Sequence, residues 1–203
     1  CASNENKVLF DFFQAGVYDR NREFMLTSSP SMDILISSNL ERLIYLITGE
    51  DAEQTKEFME KLKSEGRYEI TREMREKLVD FAGGYADEEQ TAEEIRRVYE
   101  ETGYVLDTHT AVASSVCRRT AGEEEKCVIA STASPYKFAK SVLTAIDVSY
   151  QNQDELELPE KLAEVSKTKL PKAVEDILHA EVLHDRECDV DRMEETVREI
   201  LGV

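Results

Sequence analysis

No apolar run in this 203-residue chain approaches the roughly 20 residues needed to cross a bilayer, and no signal-peptide pattern opens it. Basic charge is scarce. There are 25 lysines and arginines against 43 aspartates and glutamates, a net charge of −18, which argues against nucleic acid and anionic membrane as partners. The four cysteines, Cys1, Cys117, Cys127 and Cys188, are scattered. They form no CxxC pair and have no histidine pattern beside them, which argues against zinc. Cys127 lies in an apolar stretch and reads as a buried free thiol, so a reduced, cytoplasmic protein is expected. Only eight glycines are present, and none stands in a phosphate-cradling pattern. Gly83 and Gly84 before Tyr85 therefore read as a helix stop. Internal repeats and low-complexity segments are absent.

Hydrophobic residues make up 41% of the chain, enough to bury a core and to exclude a disordered chain. The length suits one large domain or two small ones. Composition changes after Val148, so 1–148 is expected to be the larger α/β part and 149–203 a helical extension packed on it. The chain opens on Cys1 rather than methionine, and Cys1–Ser3 reads as the end of a strand. The expectation is a sequence that starts inside a longer protein.

Helical spacing marks most of the remainder. Val8, Leu9, Phe12 and Phe13 recur on one face, with Asn4 or Asn6 as cap and Gly16 as stop. Asp33 or Ser31 is expected to cap a short helix, and Asn39 or a serine before it a second helix that ends at Gly49. Asp51–Gly66 is amphipathic, with Phe58, Met59 and Leu62 inward. Tyr68–Ile70 is a short strand or a loop. Thr71 starts a helix expected to stop at Gly83–Gly84, and Asp87–Thr102 is a charged helix ended by Gly103. The final helix, Asp189–Leu201, turns Val190, Met193, Val197 and Ile200 inward. His179 and His184 read as surface or packing histidines.

Short apolar runs near 1–4, 24–26, 104–106 and 127–131 are the expected strands, mainly parallel. Tyr104–Arg119 and Cys127–Ile146 both read as strand, polar turn, helix, and so as neighbours in one sheet. In such sheets ligands sit at the carboxyl ends of strands. That position places Asp107 and His109 after the first strand, and Ser131 and Thr132 after the second. The bland reading is local: Asp107 or Thr108 caps a helix with His109 in its first turn, and Ser134 caps another with Pro135 at its first position. Asn39 and Arg42 share a helical face. They form either an ordinary surface pair or a site for an anionic ligand.

Three stretches resemble signature segments of threonine synthase: Ser28–Arg42 (SSPSMDILISSNLER), Leu106–Ala113 (LDTHTAVA) and Ser131–Phe138 (STASPYKF). Cys1–Asn6 (CASNEN) is similar to the strand after that family's glycine-rich phosphate loop. The resemblance covers nearly the whole chain but only the carboxyl-terminal part of the enzyme. It implies an α/β fold like the tryptophan-synthase β subunit, the second fold type of pyridoxal-phosphate enzymes. It also implies conversion of O-phospho-L-homoserine and water to threonine and phosphate. Thr132 then matches the hydroxyl that bonds the pyridine nitrogen, Asp107 an acidic position near the cofactor ring with His109 after it, and Asn39 and Arg42 fall in a family motif that either binds substrate, the arginine clamping its phosphate, or is structural.

The cofactor lysine and the phosphate loop of that family belong to an earlier segment. The chain alone is therefore expected to be inactive, to need the missing amino-terminal part as partner, and to expose an apolar face prone to self-association. The competing readings are a non-catalytic truncated paralogue acting as a binding module, and another lyase or synthase of the same fold type. The SerProSerMetAsp stretch favours threonine synthase over the latter.

Overall fold

The computed structural model describes residues 1–122, 125–183 and 185–203; His184 and part of the charged loop before Cys127 lie outside the described residues. Two units result, Cys1–Lys169 and Leu170–Val203. The first contains, in order, β1 (Ala2–Ser3), α1 (Val8–Ala15), β2 (Val17–Asp19), α2 (Leu40–Thr48), α3 (Ala52–Ser64), β3 (Arg67–Glu69), α4 (Arg72–Glu76), β4 (Gly84–Tyr85), α5 (Glu88–Thr102), α6 (Thr108–Thr120), α7 (Ala139–Ile146) and α8 (Leu158–Ser166). The second contains α9 (Lys172–Leu178) and α10 (Met193–Leu201). Helix far exceeds strand, and no helix among the described residues is long and apolar enough to cross a membrane.

Helix ends follow local chemistry. Gly16, Gly49 and Gly103 close α1, α2 and α5 in the left-handed conformation. Asp87 and Gln90 form a reciprocal capping box at the start of α5, each side chain accepting the other's backbone N–H. Thr71 caps α4, but that helix is little more than a turn and ends at Lys77, well before Gly83. Ser134 Oγ accepts Tyr136 N–H, and Pro135 opens a single 3-10 turn that leads into α7.

The strands differ from expectation. β1 pairs in parallel with β4, Ala2 opposite Gly84 and Ser3 opposite Tyr85. β2 pairs antiparallel with β3, setting Tyr18 opposite Tyr68. Residues 24–26 form no strand; the side chain of Asn6 takes both backbone hydrogen bonds of the middle residue, its Nδ2 donating to Met25 O (2.7 Å) and its Oδ1 accepting Met25 N–H (2.9 Å). Tyr104–Leu106 and Cys127–Ala130 belong to no sheet and no helix. A strand needs a ladder partner, and neither has one among the described residues. Val128 is 95% exposed rather than buried. Cys127 is likewise exposed, and it is disulfide-bonded to Cys117 near the end of α6 (Cα–Cα 7.2 Å) instead of being a buried free thiol.

Two main cores result. One gathers Phe12, Tyr18, Phe58 and Tyr68 between α1, α3 and the β2–β3 pair, with the two tyrosine rings stacked at 5.4 Å. The other packs Ile95 of α5, Leu106, Val142 and Leu143 of α7, and Leu158 and Leu162 of α8. Between them α6 lies on β1 and β4 through Val112 and Val116. Gly84 is required there, because a Cβ would overlap the Val116 side chain. In the second unit the stripe expected inward is outward: Val190, Met193, Val197 and Ile200 are all exposed, and none of the described residues of that unit is buried.

Candidate functional site

The first 33 residues build one wall. Asn4 is 1% exposed, and its Nδ2 donates to Thr27 Oγ1 (2.8 Å) and Asp33 Oδ1 (2.7 Å). Asn6 Nδ2 also reaches Asp33 Oδ1 (3.1 Å), and Thr27 N–H bonds Asp33 Oδ2 (2.9 Å). Neither asparagine caps α1, whose N-cap is Lys7; Asp33 closes the short 3-10 turn Pro30–Met32 as its C-cap residue, and Ser29, not Asp33 or Ser31, stands at that turn's N-cap. The carboxylate instead gathers donors from 6 to 29 residues away, fixing the Ser28–Asp33 loop against β1. A half-buried carboxylate with this many donors is strongly directional and holds the loop in one conformation.

That loop presents Ser31 to α6. Ser31 N–H donates to His109 Nε2 at 3.1 Å. A backbone N–H can only donate, so Nε2 is unprotonated and the ring proton sits on Nδ1. Nδ1 faces Asp107 Oδ1 at 3.5 Å and Thr108 Oγ1 at 3.4 Å. Burial lowers the His109 pKa below 6.5, and the Lys137 charge acts the same way, against the opposing pull of Asp107. His109 is therefore the neutral imidazole at physiological pH. Its ring packs on Phe138 with centroids 4.9 Å apart.

Asp107 is 2% exposed and caps α6: Oδ1 accepts His109 N–H (2.9 Å) and Thr110 N–H (3.0 Å), while Oδ2 takes the Thr110 hydroxyl. The capping reading of Asp107 is thus correct, and its carboxylate is already committed. The Thr110 hydroxyl also stands 2.9 Å from Ser131 Oγ. Thr132, the next residue, is exposed, and its hydroxyl has no hydrogen-bond partner among the described residues. Ser134 does the local capping. The three signature stretches therefore meet: Ser31 on His109, Ser131 on Thr110, and Phe138 on His109.

Asn39 and Arg42 stand apart from this cluster. Asn39 is the N-cap residue of α2 but makes no side-chain cap; its Oδ1 accepts Arg42 Nη2 at 3.0 Å, and both are exposed. Arg42 has no carboxylate within ion-pair distance among the described residues, in a chain with an acidic excess. Asn39 lines a cavity of about 320 Å³ whose wall also carries Asn6, Ser31 and Ser37. Arg42 borders a separate groove with Tyr45 and Lys56. Ser31 is therefore the one residue shared by the His109 contact and the cavity at Asn39.

Behind the site, α6 is tied to α5 by a buried carboxylate. Glu94, with a side chain 0% exposed, accepts Arg97 Nη2 (2.7 Å) and Ser114 Oγ (2.7 Å) on Oε1, and Arg118 Nε (3.0 Å) and Arg97 Nε (3.1 Å) on Oε2. Burial alone would raise its pKa. The bonds from Arg97, Ser114 and Arg118, with the Arg97 charge, outweigh that and hold it at about 2.

Sequence reasoning singled out Asp107, His109 and Thr132 but not the roles of Ser31, Thr110, Ser131 or Glu94. For Thr110 the only signal was adjacency to chosen residues, and Ser131 stood beside Thr132 at the end of an expected strand without a partner to name. For Glu94 there was none, because an internal carboxylate on a charged helix looks like a solvated one.

A family model described as "Threonine synthase, C-terminal" matches residues 110–200. Threonine synthase-like 1 from Homo sapiens is 39% identical over 155 residues, covering 75% of this chain and 21% of that protein. The crystal structure of threonine synthase from yeast superposes with a TM-score of 0.77 at 28% identity, covering 99% of this chain and 42% of that one. The threonine synthase from Brucella melitensis with bound pyridoxal phosphate gives a TM-score of 0.69 at 32% identity, covering 87% of this chain and 39% of that one. The chain spans about a fifth of the length of the human protein and about two fifths of the solved ones.

Proposed function

We propose, for a chain that matches the carboxyl-terminal part of threonine synthases and shares their fold type II architecture, that it forms one wall of a pyridoxal-phosphate site. The reaction is that of threonine synthase: O-phospho-L-homoserine loses phosphate from Cγ, water supplies the hydroxyl at Cβ, and L-threonine results. The observation that carries this reading is the meeting of the three signature stretches around His109 and Thr110.

The donor set fits the cofactor. Thr132 offers a hydroxyl free of any local bond, as a hydrogen-bond partner for a pyridine nitrogen should. No cation or free carboxylic acid is needed there, and a neutral hydroxyl leaves the ring nitrogen less protonated than an aspartate would. When bound, the cofactor supplies an electron sink for carbanions. Asp107 acts by holding the first turn of α6 rather than by touching the ring. His109, neutral and gripped by Ser31 N–H, fixes the distance between that turn and the Ser28–Asp33 loop. Arg42, with no acidic partner among the described residues and braced by Asn39, binds the substrate phosphate with its guanidinium.

A chimera tests the proposal. This chain replaces the matched carboxyl-terminal part of yeast threonine synthase, and release of phosphate and threonine from O-phosphohomoserine is followed. Equal amounts of both products are expected from the chimera, and none from the chain alone with pyridoxal phosphate. A folded chimera that takes up the cofactor yet releases no phosphate overturns the assigned substrate. Turnover by the chain alone overturns the one-wall reading.

A further inference from the structure

The segment before Thr132 is unusual in how little holds it. Among the described residues, Val128–Ala133 belongs to no sheet or helix and makes a single hydrogen bond, between Ser131 Oγ and Thr110 Oγ1. Thr110 is 6% exposed and sits in the first turn of α6, against the fully capped Asp107 carboxylate. A threonine hydroxyl carries one proton. Given to Asp107 Oδ2, that proton leaves Thr110 Oγ1 as acceptor, and Ser131 is the donor. The chain of bonds runs from a buried anion through a buried hydroxyl to an exposed one. Each bond is polarised by the carboxylate behind it.

We infer that Thr110 is a positioning residue: its hydroxyl, oriented by Asp107, anchors Ser131 and thereby sets where the Thr132 hydroxyl is presented. The inference deepens the reading above, since it is that reading which makes Thr132 matter. Its mechanical part, the anchoring, stands on the geometry alone. An unanchored coil of six residues samples many conformations, and a hydroxyl spread over them makes a poor partner for any fixed ring.

The test uses the 203-residue chain and backbone ¹⁵N relaxation. In the wild type the Ile129–Ala133 amides should give order parameters near the rigid value of about 0.85, and in Thr110→Val they should fall toward about 0.6. Thr110→Ser keeps the hydroxyl and should restore the wild-type values, which a role in packing alone would not. Ser131→Ala, an exposed change that leaves the core untouched, should loosen the same amides. The double variant should be no looser than either single one, because both remove the same bond. Amides elsewhere in α6 should stay unchanged in Ser131→Ala. The inference is overturned if Ser131→Ala leaves the segment as ordered as wild type, or if Thr110→Ser is as loose as Thr110→Val. Addition of pyridoxal 5′-phosphate separates the two layers. A segment anchored as described whose Thr132 amide ignores the cofactor, both here and in the chimera, supports the anchoring and counts against the cofactor role of Thr132.

Discussion

Replacing Glu94 by glutamine removes one charge and almost no volume from the joint between α5 and α6. In the folded chain its pKa lies at about 2, against an ordinary value of 4.5. The gap of about 2.5 units corresponds to roughly 3.4 kcal/mol at 1.36 kcal/mol per unit. Arg97 and Arg118 keep part of their side chains in water (31% and 45%), so screening reduces the expected loss in Glu94→Gln to about 2–3 kcal/mol at pH 7. The sign follows from linkage. A carboxylate with a depressed folded pKa contributes stability that is fully present above 4.5 and is lost as pH falls toward 2. The stability difference between wild type and variant should therefore be about 2–3 kcal/mol at pH 7 and shrink toward zero near pH 2. Urea unfolding followed by circular dichroism at several pH values measures it. Taking the difference cancels the other 42 acidic residues, which both proteins share. A variant as stable as wild type at pH 7, or a gap that does not narrow in acid, would refute the account of Glu94.

In the chimera, Thr132→Ala should abolish or strongly reduce threonine formation while changing stability by less than about 0.5 kcal/mol, since the side chain is exposed and free of partners; unchanged turnover with a large fall in Tm would make it structural. His109 should titrate below 6.5 by NMR. Its contribution to stability should be fully present above that pH and lost as pH falls, because protonating Nε2 expels the Ser31 N–H; a titration at or above 6.5 would contradict the burial argument. Gly84→Ala should destabilise by about 1–3 kcal/mol, because its Cβ overlaps Val116 in the joint between β4 and α6. Pairing it with Val116→Ala should recover part of that loss, and no recovery would place the strain elsewhere.

Helix ends were legible in the sequence because their chemistry is local. Gly16, Gly49 and Gly103 stop helices with the backbone of one residue, and Asp87 with Gln90 starts one within a single turn. Strands were not legible in this way. Phe24–Leu26 has the apolar character of a strand, yet the backbone bonds of Met25 at its centre are taken by Asn6, 19 residues earlier. Val17–Asp19 is a real strand whose partner lies about 50 residues on, and nothing in its own three residues announces this. Asn4 and Asn6 have the right identity for caps, but identity does not reveal range; their amides serve Asp33 and Met25 instead of the next helix.

The candidate site shows why a local and a functional reading of one residue need not compete. The sequence allows Asp107 to be either a helix cap or a group beside a ligand. It is a cap, and through that role it orients Thr110, which reaches Ser131, 21 residues away. His109 likewise sits in a first turn, as the bland reading holds, and from there accepts Ser31 N–H across 78 residues. The sequence resemblance could gather these positions into one family motif set, but it could not say which atoms touch. The contacts divide the labour in a way the motifs do not. Asp107, Thr110 and His109 are consumed in holding three segments together, while Thr132 and Arg42 keep unspent hydrogen-bonding capacity facing outward. Groups that bind a ligand must be the unspent ones, because a buried donor or acceptor already satisfied gains nothing from a second partner.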